Sequence, residues 1–189
     1  LLAHADDELG AAGTILAQRA RGDRVFVLYL TRGESTEAFG PLPSAEVAER
    51  RMEMAAGAAS ILDVEHRFLD FPDGGVEVTP EHTRTVARVL SEVQPTGLLT
   101  WGNAWVKWIR HPDHRAAGRL AVDAVTIARI TKLVAPAPPY REACPVFSLR
   151  GVHSPLPAVA VDVRGYRDGI FALAEFYYRA IGFGDPVWL

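Results

Sequence analysis

Short, apolar, β-branched runs alternate with longer amphipathic runs along the chain. Residues 24–30 (RVFVLYL) are almost entirely apolar, as expected for a strand buried on both faces of a sheet. After them, apolar residues recur at spacings of three and four in a stretch that begins at Ser44. Because strands that alternate with amphipathic helices form parallel sheets with crossover helices, the pattern predicts an α/β fold.

Turn and cap signals place the other elements. We predict strands at residues 1–3, 66–69, 97–101, 146–149 and 158–163. We predict helices over residues 7–21, ending at Gly22, and over residues 166–180. Three further helices are predicted from their starts: one with Ser44 as N-cap, one with Thr79 as N-cap and Pro80 at the first helical position, and one at His111-Pro112. The helix from Ser44 carries Arg51 within its apolar face, where a buried guanidinium needs an anionic or carbonyl partner.

Composition excludes several classes of function. The 189 residues fit one domain, and 20 Lys and Arg against 23 Asp and Glu give a net charge of -3, which disfavours a nucleic-acid partner. The single cysteine, Cys144, forms no internal disulfide and no thiolate zinc site, which fits a reducing cytoplasm. No apolar run is long enough to span a bilayer. The chain opens on Leu1 without Met, so we expect the first strand to begin before it.

Polar clusters follow the predicted strands at residues 4–7, 31–34, 70–73 and 101–114. The carboxyl edge of an open parallel sheet is where ligands bind, because loops and helix N-termini converge there. At residues 4–8 (His-Ala-Asp-Asp-Glu) and 111–114 (His-Pro-Asp-His), imidazoles and carboxylates recur at short spacing. Two His and one Asp, with one position left for water, are typical of a hydrolytic zinc site, although spacing does not choose between Asp6 and Asp7.

These two motifs resemble those of the N-acetylglucosaminyl-phosphatidylinositol de-N-acetylase (PIG-L, or LmbE-like) family. Residues 4–8 are similar to its first motif, with Ala5 where proline is usual, and residues 111–114 match its second. Similarity continues at residues 31–34, at Arg51 ahead of residues 62–64, and at residues 68–74. The resemblance implies a Rossmann-like, open, mainly parallel sheet with helices on both faces, as a single LmbE-like domain over residues 1–189. It also implies a zinc-dependent enzyme that removes an N-acetyl group from an N-acetylglucosamine-type amino sugar.

The resemblance further implies a role for each motif residue. Zinc would be held by His4, Asp7 and His114, and Fe²⁺ could occupy the same ligands. Asp6 would be the general base toward the attacking water, and His111 the acid or oxyanion-stabilising group. Asp113 would orient a neighbouring histidine.

Other residues keep two interpretations. Arg51 and Asp73 resemble positions that touch the acyl or sugar part of the substrate, but Arg51 could instead form a structural ion pair and Asp73 a turn. We expect Glu8 to be a structural carboxylate paired with an arginine. The aromatic side chains before the second motif could stack on sugar rings, fill the core or form an oligomer interface, and they are Trp101, Trp105 and Trp108.

Two other functions remain open at this point. A metal-dependent amidase could act on a thiol conjugate or another acylated amine, because one fold hosts several substrates. A non-catalytic sugar-binding protein could use the same sheet edge without hydrolysis. A nucleotide-binding function is disfavoured, since no Gly-x-Gly-x-x-Gly or Walker pattern follows any predicted strand. We expect a small-molecule amino-sugar partner and leave a homo-oligomer open.

Overall fold

The computed structural model describes residues 1–102, 111–149 and 157–182. These residues divide into two compact units. The N-terminal unit comprises Leu2–Asp73 and Pro157–Leu189, and the central unit comprises Leu1 and Gly74–Leu156. In the described ranges, no helix has both the length and the apolar character needed to cross a membrane. The prediction that residues 1–189 form a single domain stays a prediction.

The N-terminal unit contains a parallel strand pair and three α-helices. Its elements are α1 (Ala12–Ala20), β1 (Phe26–Tyr29), α2 (Ser44–Leu62), β2 (Glu65–Phe68) and, after the central unit, α6 (Arg167–Ala180). Strands β1 and β2 pair in parallel, with Phe26 opposite Glu65. Leu2 also forms a parallel bridge with Tyr29, which agrees with a strand end at residues 1–3.

Close packing in this unit depends on small residues. Helix α6 packs on α1 and α2. A Cβ added to Gly57 of α2 would overlap the ring of Phe176 on α6, so the two helices approach closely at a residue without a side chain. The core is apolar, and its fully buried residues include Leu30, Leu62 and Leu173.

The central unit has a second parallel pair and three α-helices. Its elements are α3 (Pro80–Val93), β3 (Leu98–Trp101), α4 (Pro112–Ile127), α5 (Thr131–Val134) and β4 (Val146–Leu149). Strands β3 and β4 pair in parallel with Leu98 opposite Val146, while α4 packs on α3 and β3. As predicted, the Thr79 side chain caps α3 by accepting from the backbone N–H of His82, and Pro80 is the first helical residue.

The structure confirms the α/β class with parallel strands and corrects three predicted elements. Residues Asp7–Ala11 form a 3-10 helix and the α-helix begins only at Ala12. Pro43 occupies the N-cap of α2, so Ser44 is its first helical residue. Residues 158–163 form no strand, and Val159 is 78% exposed. Alternation alone does not make a strand, because its backbone groups also need a neighbouring strand to pair with.

Candidate functional site

In the N-terminal unit, the first motif forms a tight loop directly after Leu2. The backbone N–H groups of Ala3 and His4 both donate to Oδ2 of Asp7, at 2.9 and 3.0 Å. Asp6 has a φ of 113°, a region that L-residues rarely adopt. Carboxylates that bind nearby backbone N–H groups favour turns over helix, which explains why the predicted helix starts late. The loop therefore fixes the Asp7 carboxylate against its own backbone.

Asp6 is held from a different element. Nη1 of Arg51, on the buried face of α2, donates to Oδ2 of Asp6 at 3.0 Å. This contact confirms that the buried arginine has an anionic partner, and it makes the Arg51 interaction an ion pair. The Nε atom of Arg51 is buried and has no hydrogen-bond partner within the described ranges. It lies against Gly33, where an added Cβ would come within 2.8 Å.

His4 and Asp73 meet in the same unit. Nε2 of His4 lies 3.0 Å from Oδ1 of Asp73. Asp73 is fixed by the loop that follows β1, because its Oδ2 accepts from the backbone N–H of Ser35 at 2.9 Å and its own N–H donates to Glu34. Asp73 therefore does more than complete a turn: it links the first motif to residues 34 and 35.

Glu8 is fully buried, and its partners differ from the expected arginine. Its Oε2 accepts from the backbone N–H of Asp6 at 3.0 Å, and its Oε1 accepts from the hydroxyl of Tyr177. The Tyr29 side chain also lies beside this carboxyl. Burial raises the pKa of Glu8, and these hydrogen bonds only partly oppose that shift. Among the described residues no arginine pairs with Glu8, and Arg51 pairs with Asp6.

In the central unit, the second motif forms the N-terminus of α4. His111 is the N-cap, as predicted, and its Nδ1 accepts from the backbone N–H of Asp113 at 3.4 Å. Asp113 is fully buried and accepts from the backbone N–H groups of Gly74 (2.8 Å) and Val76 (3.1 Å). Its Oδ2 also lies 3.6 Å from Nδ1 of His111. Asp113 thus ties the helix start to residues 74 and 76.

His114 lies one residue further along α4 and stacks on an aromatic ring. The Trp101 indole, at the end of β3, lies parallel to the His114 imidazole, with ring centroids 4.1 Å apart and planes 6° apart. The rings of His111 and His114 are 5.5 Å apart. The sequence left the role of Trp101 open, and the structure gives it a histidine neighbour. Trp105 and Trp108 lie outside the described residues.

The predicted site residues therefore fall into two groups, five in the N-terminal unit and three in the central unit. The N-terminal unit brings together His4, Asp6, Asp7, Arg51 and Asp73. The central unit brings together His111, Asp113 and His114. Both groups offer imidazole nitrogens and carboxylate oxygens, the ligand types that suit Zn²⁺ and Fe²⁺. Sequence reasoning missed Tyr29 and Tyr177, because no pattern connects a buried glutamate to a tyrosine 169 positions away.

The comparisons with known proteins agree with these motifs. A family model described as PIG-L: GlcNAc-PI de-N-acetylase matches residues 1–125. A diacetylchitobiose deacetylase from Thermococcus kodakarensis is 35% identical over 127 residues, covering 66% of this chain and 47% of the relative. A 1D-myo-inositol 2-acetamido-2-deoxy-alpha-D-glucopyranoside deacetylase from Salinispora arenicola is 30% identical over 200 residues, covering 92% of this chain and 62% of the relative. The chain thus spans about half to three fifths of these relatives' lengths.

A solved structure shows the same fold. The conserved protein from Thermus thermophilus superposes with a TM-score of 0.79 at 33% identity, covering 97% of this chain and 78% of the other. The relatives are deacetylases that act on N-acetylglucosamine-type substrates. The family model matches residues 1–125, which is more than half of the 189 residues. This chain therefore belongs to the PIG-L family of GlcNAc-PI de-N-acetylases.

Proposed function

We propose that this protein is a zinc-dependent hydrolase that removes the N-acetyl group of an N-acetylglucosamine-type amino sugar. Family membership and the names of the two deacetylase relatives support the reaction class. We propose residues 1–189 as a single catalytic domain. Zn²⁺ is the proposed metal, and Fe²⁺ suits the same ligand types.

The proposed metal ligands are His4, Asp7 and His114. They are residue types that hold a metal ion, and two imidazoles with one carboxylate are the donor set of many catalytic zinc sites. We propose that the two motifs share a single site. Asp73, beside His4, is followed directly by Gly74, whose N–H donates to Asp113 of the second motif. When bound, a divalent metal polarises the amide carbonyl and lowers the pKa of a water molecule.

The observation that carries the mechanism is the different exposure of the two adjacent aspartates. The Asp6 side chain is 41% exposed, whereas the Asp7 side chain is 5% exposed and bound to backbone N–H groups. A general base must reach solvent or substrate, and a ligand must be held rigidly. This contrast supports Asp6 as the base and Asp7 as a ligand.

The steps follow from these positions. Arg51 fixes the orientation of the Asp6 carboxylate, which accepts a proton from the water that attacks the amide carbon. The carbonyl oxygen becomes negatively charged, and His111, whose side chain is 42% exposed, donates a hydrogen bond to it. Asp6 or His111 then protonates the departing amine, and acetate leaves. Asp113 holds His111 and the start of α4 in place.

Arg51 and Asp73 are the proposed substrate contacts. Both already have intramolecular partners, Asp6 for Arg51 and His4 for Asp73. We propose that each touches the acyl or sugar part of the substrate with the atoms that remain. In this role they would couple the position of the substrate to the position of the catalytic groups.

The test is acetate release from a panel of N-acetylglucosamine derivatives: the free sugar, short chitin oligomers, and inositol-linked and lipid-linked conjugates. We expect zinc-loaded protein to release acetate from at least one member. We expect a chelator to abolish the release and added zinc to restore it. Release that persists after chelation, with no metal detected in the protein, would contradict the metal-dependent mechanism.

Two results would move the proposal to another function. Hydrolysis of a thiol conjugate or another acylated amine, with no acetate released from any sugar, would favour the amidase. Binding of a glycoside by metal-free protein, with no hydrolysis of any amide, would favour a non-catalytic sugar-binding protein.

A further inference from the structure

Glu8 is a buried acidic side chain that the proposed reaction does not use. Its carboxyl is fully buried in the N-terminal unit. Its two oxygens have separate partners: Oε2 accepts from the backbone N–H of Asp6 at 3.0 Å, and Oε1 accepts from Tyr177 on α6. Tyr29, at the end of β1, lies beside the same carboxyl. Glu8 therefore connects helix α6 to the loop that carries Asp6.

Asp6 needs such a connection because its backbone is strained. A φ of 113° is rare for any residue except glycine, and strained conformations of this kind cost about 1–3 kcal/mol each. They persist only where several contacts impose them. At Asp6 the backbone N–H donates to Glu8, the carbonyl accepts from Leu9 at 3.0 Å, and the carboxylate pairs with Arg51.

These three contacts hold the Asp6 backbone to different degrees. The Leu9 contact is local and moves with the loop. The Arg51 contact holds the end of the side chain, not the backbone. Of the three, only the Glu8 contact joins the Asp6 backbone to a distant element, because the same buried carboxyl accepts from Tyr177 of α6.

We propose that Glu8 is a positioning residue: it holds the Asp6 backbone in its left-handed conformation, and it is itself held by Tyr177 of α6. This inference rests on the proposed role of Asp6 as general base. Tyr177 lies outside residues 1–125, the part that the family model matches. Helix α6 thereby contributes to the geometry of the first motif.

The test compares three variants at the two positions. Glu8→Gln keeps an oxygen acceptor for the Asp6 N–H, whereas Glu8→Met has similar length and no acceptor of comparable strength. Tyr177→Phe removes only the hydroxyl that donates to Glu8. Tyr166→Phe, at the start of the same helix, is the matched control for loss of a tyrosine hydroxyl.

Two readouts are measured on metal-loaded protein of verified metal content. The first is hydrogen exchange of the backbone amides of residues 6–9, which does not depend on activity. We expect Glu8→Met and Tyr177→Phe to raise the exchange rate of the Asp6 amide about tenfold, because a hydrogen bond of ordinary net strength is lost or loosened. Glu8→Gln and Tyr166→Phe should remain near wild type.

The second readout is kcat and KM for whichever substrate the panel identifies. We expect kcat to fall about 10- to 100-fold in Glu8→Met and Tyr177→Phe with KM little changed, because a displaced base impairs proton transfer more than binding. Unchanged Asp6 exchange, or faster exchange with unchanged kcat, would overturn the proposal. If Glu8→Met does not fold, Glu8→Gln and Tyr177→Phe decide it alone.

Failure of the proposed function has a different signature. Suppose that the wild-type protein hydrolyses no amide while Tyr177→Phe still accelerates exchange of the Asp6 amide. This result would refute the deacetylase proposal and would still support the role of Glu8 in holding the Asp6 backbone. Wild-type hydrolysis with Asp6 exchange and kcat unchanged in Tyr177→Phe would refute the positioning role alone.

Discussion

The loop at residues 4–8 and the helix start at residues 111–114 contain the same kinds of side chain, yet different forces fix them. At the helix start, Pro112 lies at the first helical position and His111 is the N-cap, so local helix rules set the geometry. In the loop, the strained Asp6 is held by contacts with Arg51 and Glu8, and Glu8 in turn depends on residues far along the chain.

The difference shows where each motif is sensitive to change. The helix start should depend only weakly on distant side chains, because the distant partners of Asp113 are backbone N–H groups, but it should lose stability when its own buried carboxylate is removed. The loop should lose activity when distant residues are changed, because those residues impose its conformation. Four predictions test this contrast, in order of expected effect.

The largest effect is expected in the loop, from Asp6→Asn. The amide cannot accept the proton, so kcat should fall about 10²- to 10⁴-fold while metal content stays the same. Asp63→Asn is the matched control, because Asp63 also has a positive φ (53°) and pairs with an arginine, Arg19, but is exposed. Near wild-type kcat in Asp6→Asn would remove Asp6 from the mechanism.

The second prediction concerns the stability of the helix start. Asp113→Ala leaves the N–H groups of Gly74 and Val76 without their carboxylate, and the free energy of unfolding should fall by about 2–3 kcal/mol. Asp123→Ala, an exposed acid on the same helix, should change it by less than about 0.5 kcal/mol. Urea unfolding measures both, and equal effects would show that Asp113 does not hold this helix start.

The third prediction tests whether the loop responds to a change outside it. Gly33 and Gly40 both have positive φ (69° and 79°), so alanine at either should destabilise the protein by about 1–2 kcal/mol. Only at Gly33 would the new Cβ meet Arg51, at 2.8 Å, whereas Gly40 has nothing within 4 Å.

We therefore expect Gly33→Ala to lower kcat about tenfold more than Gly40→Ala, because Arg51 moves away from Asp6. The two alanine variants are compared at a temperature where both are folded. The same kcat in both would show that Arg51 does not control the position of Asp6.

The smallest effect is expected at the helix start, from loss of the ring that stacks on His114. Trp101→Leu should weaken metal affinity about 2- to 10-fold, the range given by one aromatic pair, and Trp101→Phe should restore part of it. Competition with a chelating dye measures the affinity. An affinity equal to wild type in Trp101→Leu would mean that the stacking does not orient His114.

The same contrast explains how far the sequence could be read. Local signals predicted the cap at Thr79 and the helix start at His111 and Pro112, because these depend on neighbours a few residues away. The buried position of Arg51 also predicted an anionic or carbonyl partner, which the structure identifies as the carboxylate of Asp6. Local sequence signals predicted no contact between residues far apart in the chain.

Contacts between distant residues could not be predicted. The positive φ of Asp6 is imposed by the surrounding contacts, and the position lacks the glycine that usually indicates a positive φ in a sequence. The Glu8–Tyr177 contact joins residues 169 positions apart, and no periodicity connects them. The strand predicted at residues 158–163 is absent for a similar reason. An alternating apolar pattern does not show whether a neighbouring strand is available for pairing.

The number of metal ions bound per chain decides whether the two motifs share one metal site, and it is measured in wild type, His4→Ala and His114→Ala, with His66→Ala as control. One shared ion predicts one ion in wild type and in His66→Ala, and none in either His4→Ala or His114→Ala at micromolar free zinc. Two ions in wild type with one remaining in each variant, or no ion in wild type, would contradict the proposal that both motifs hold one catalytic metal.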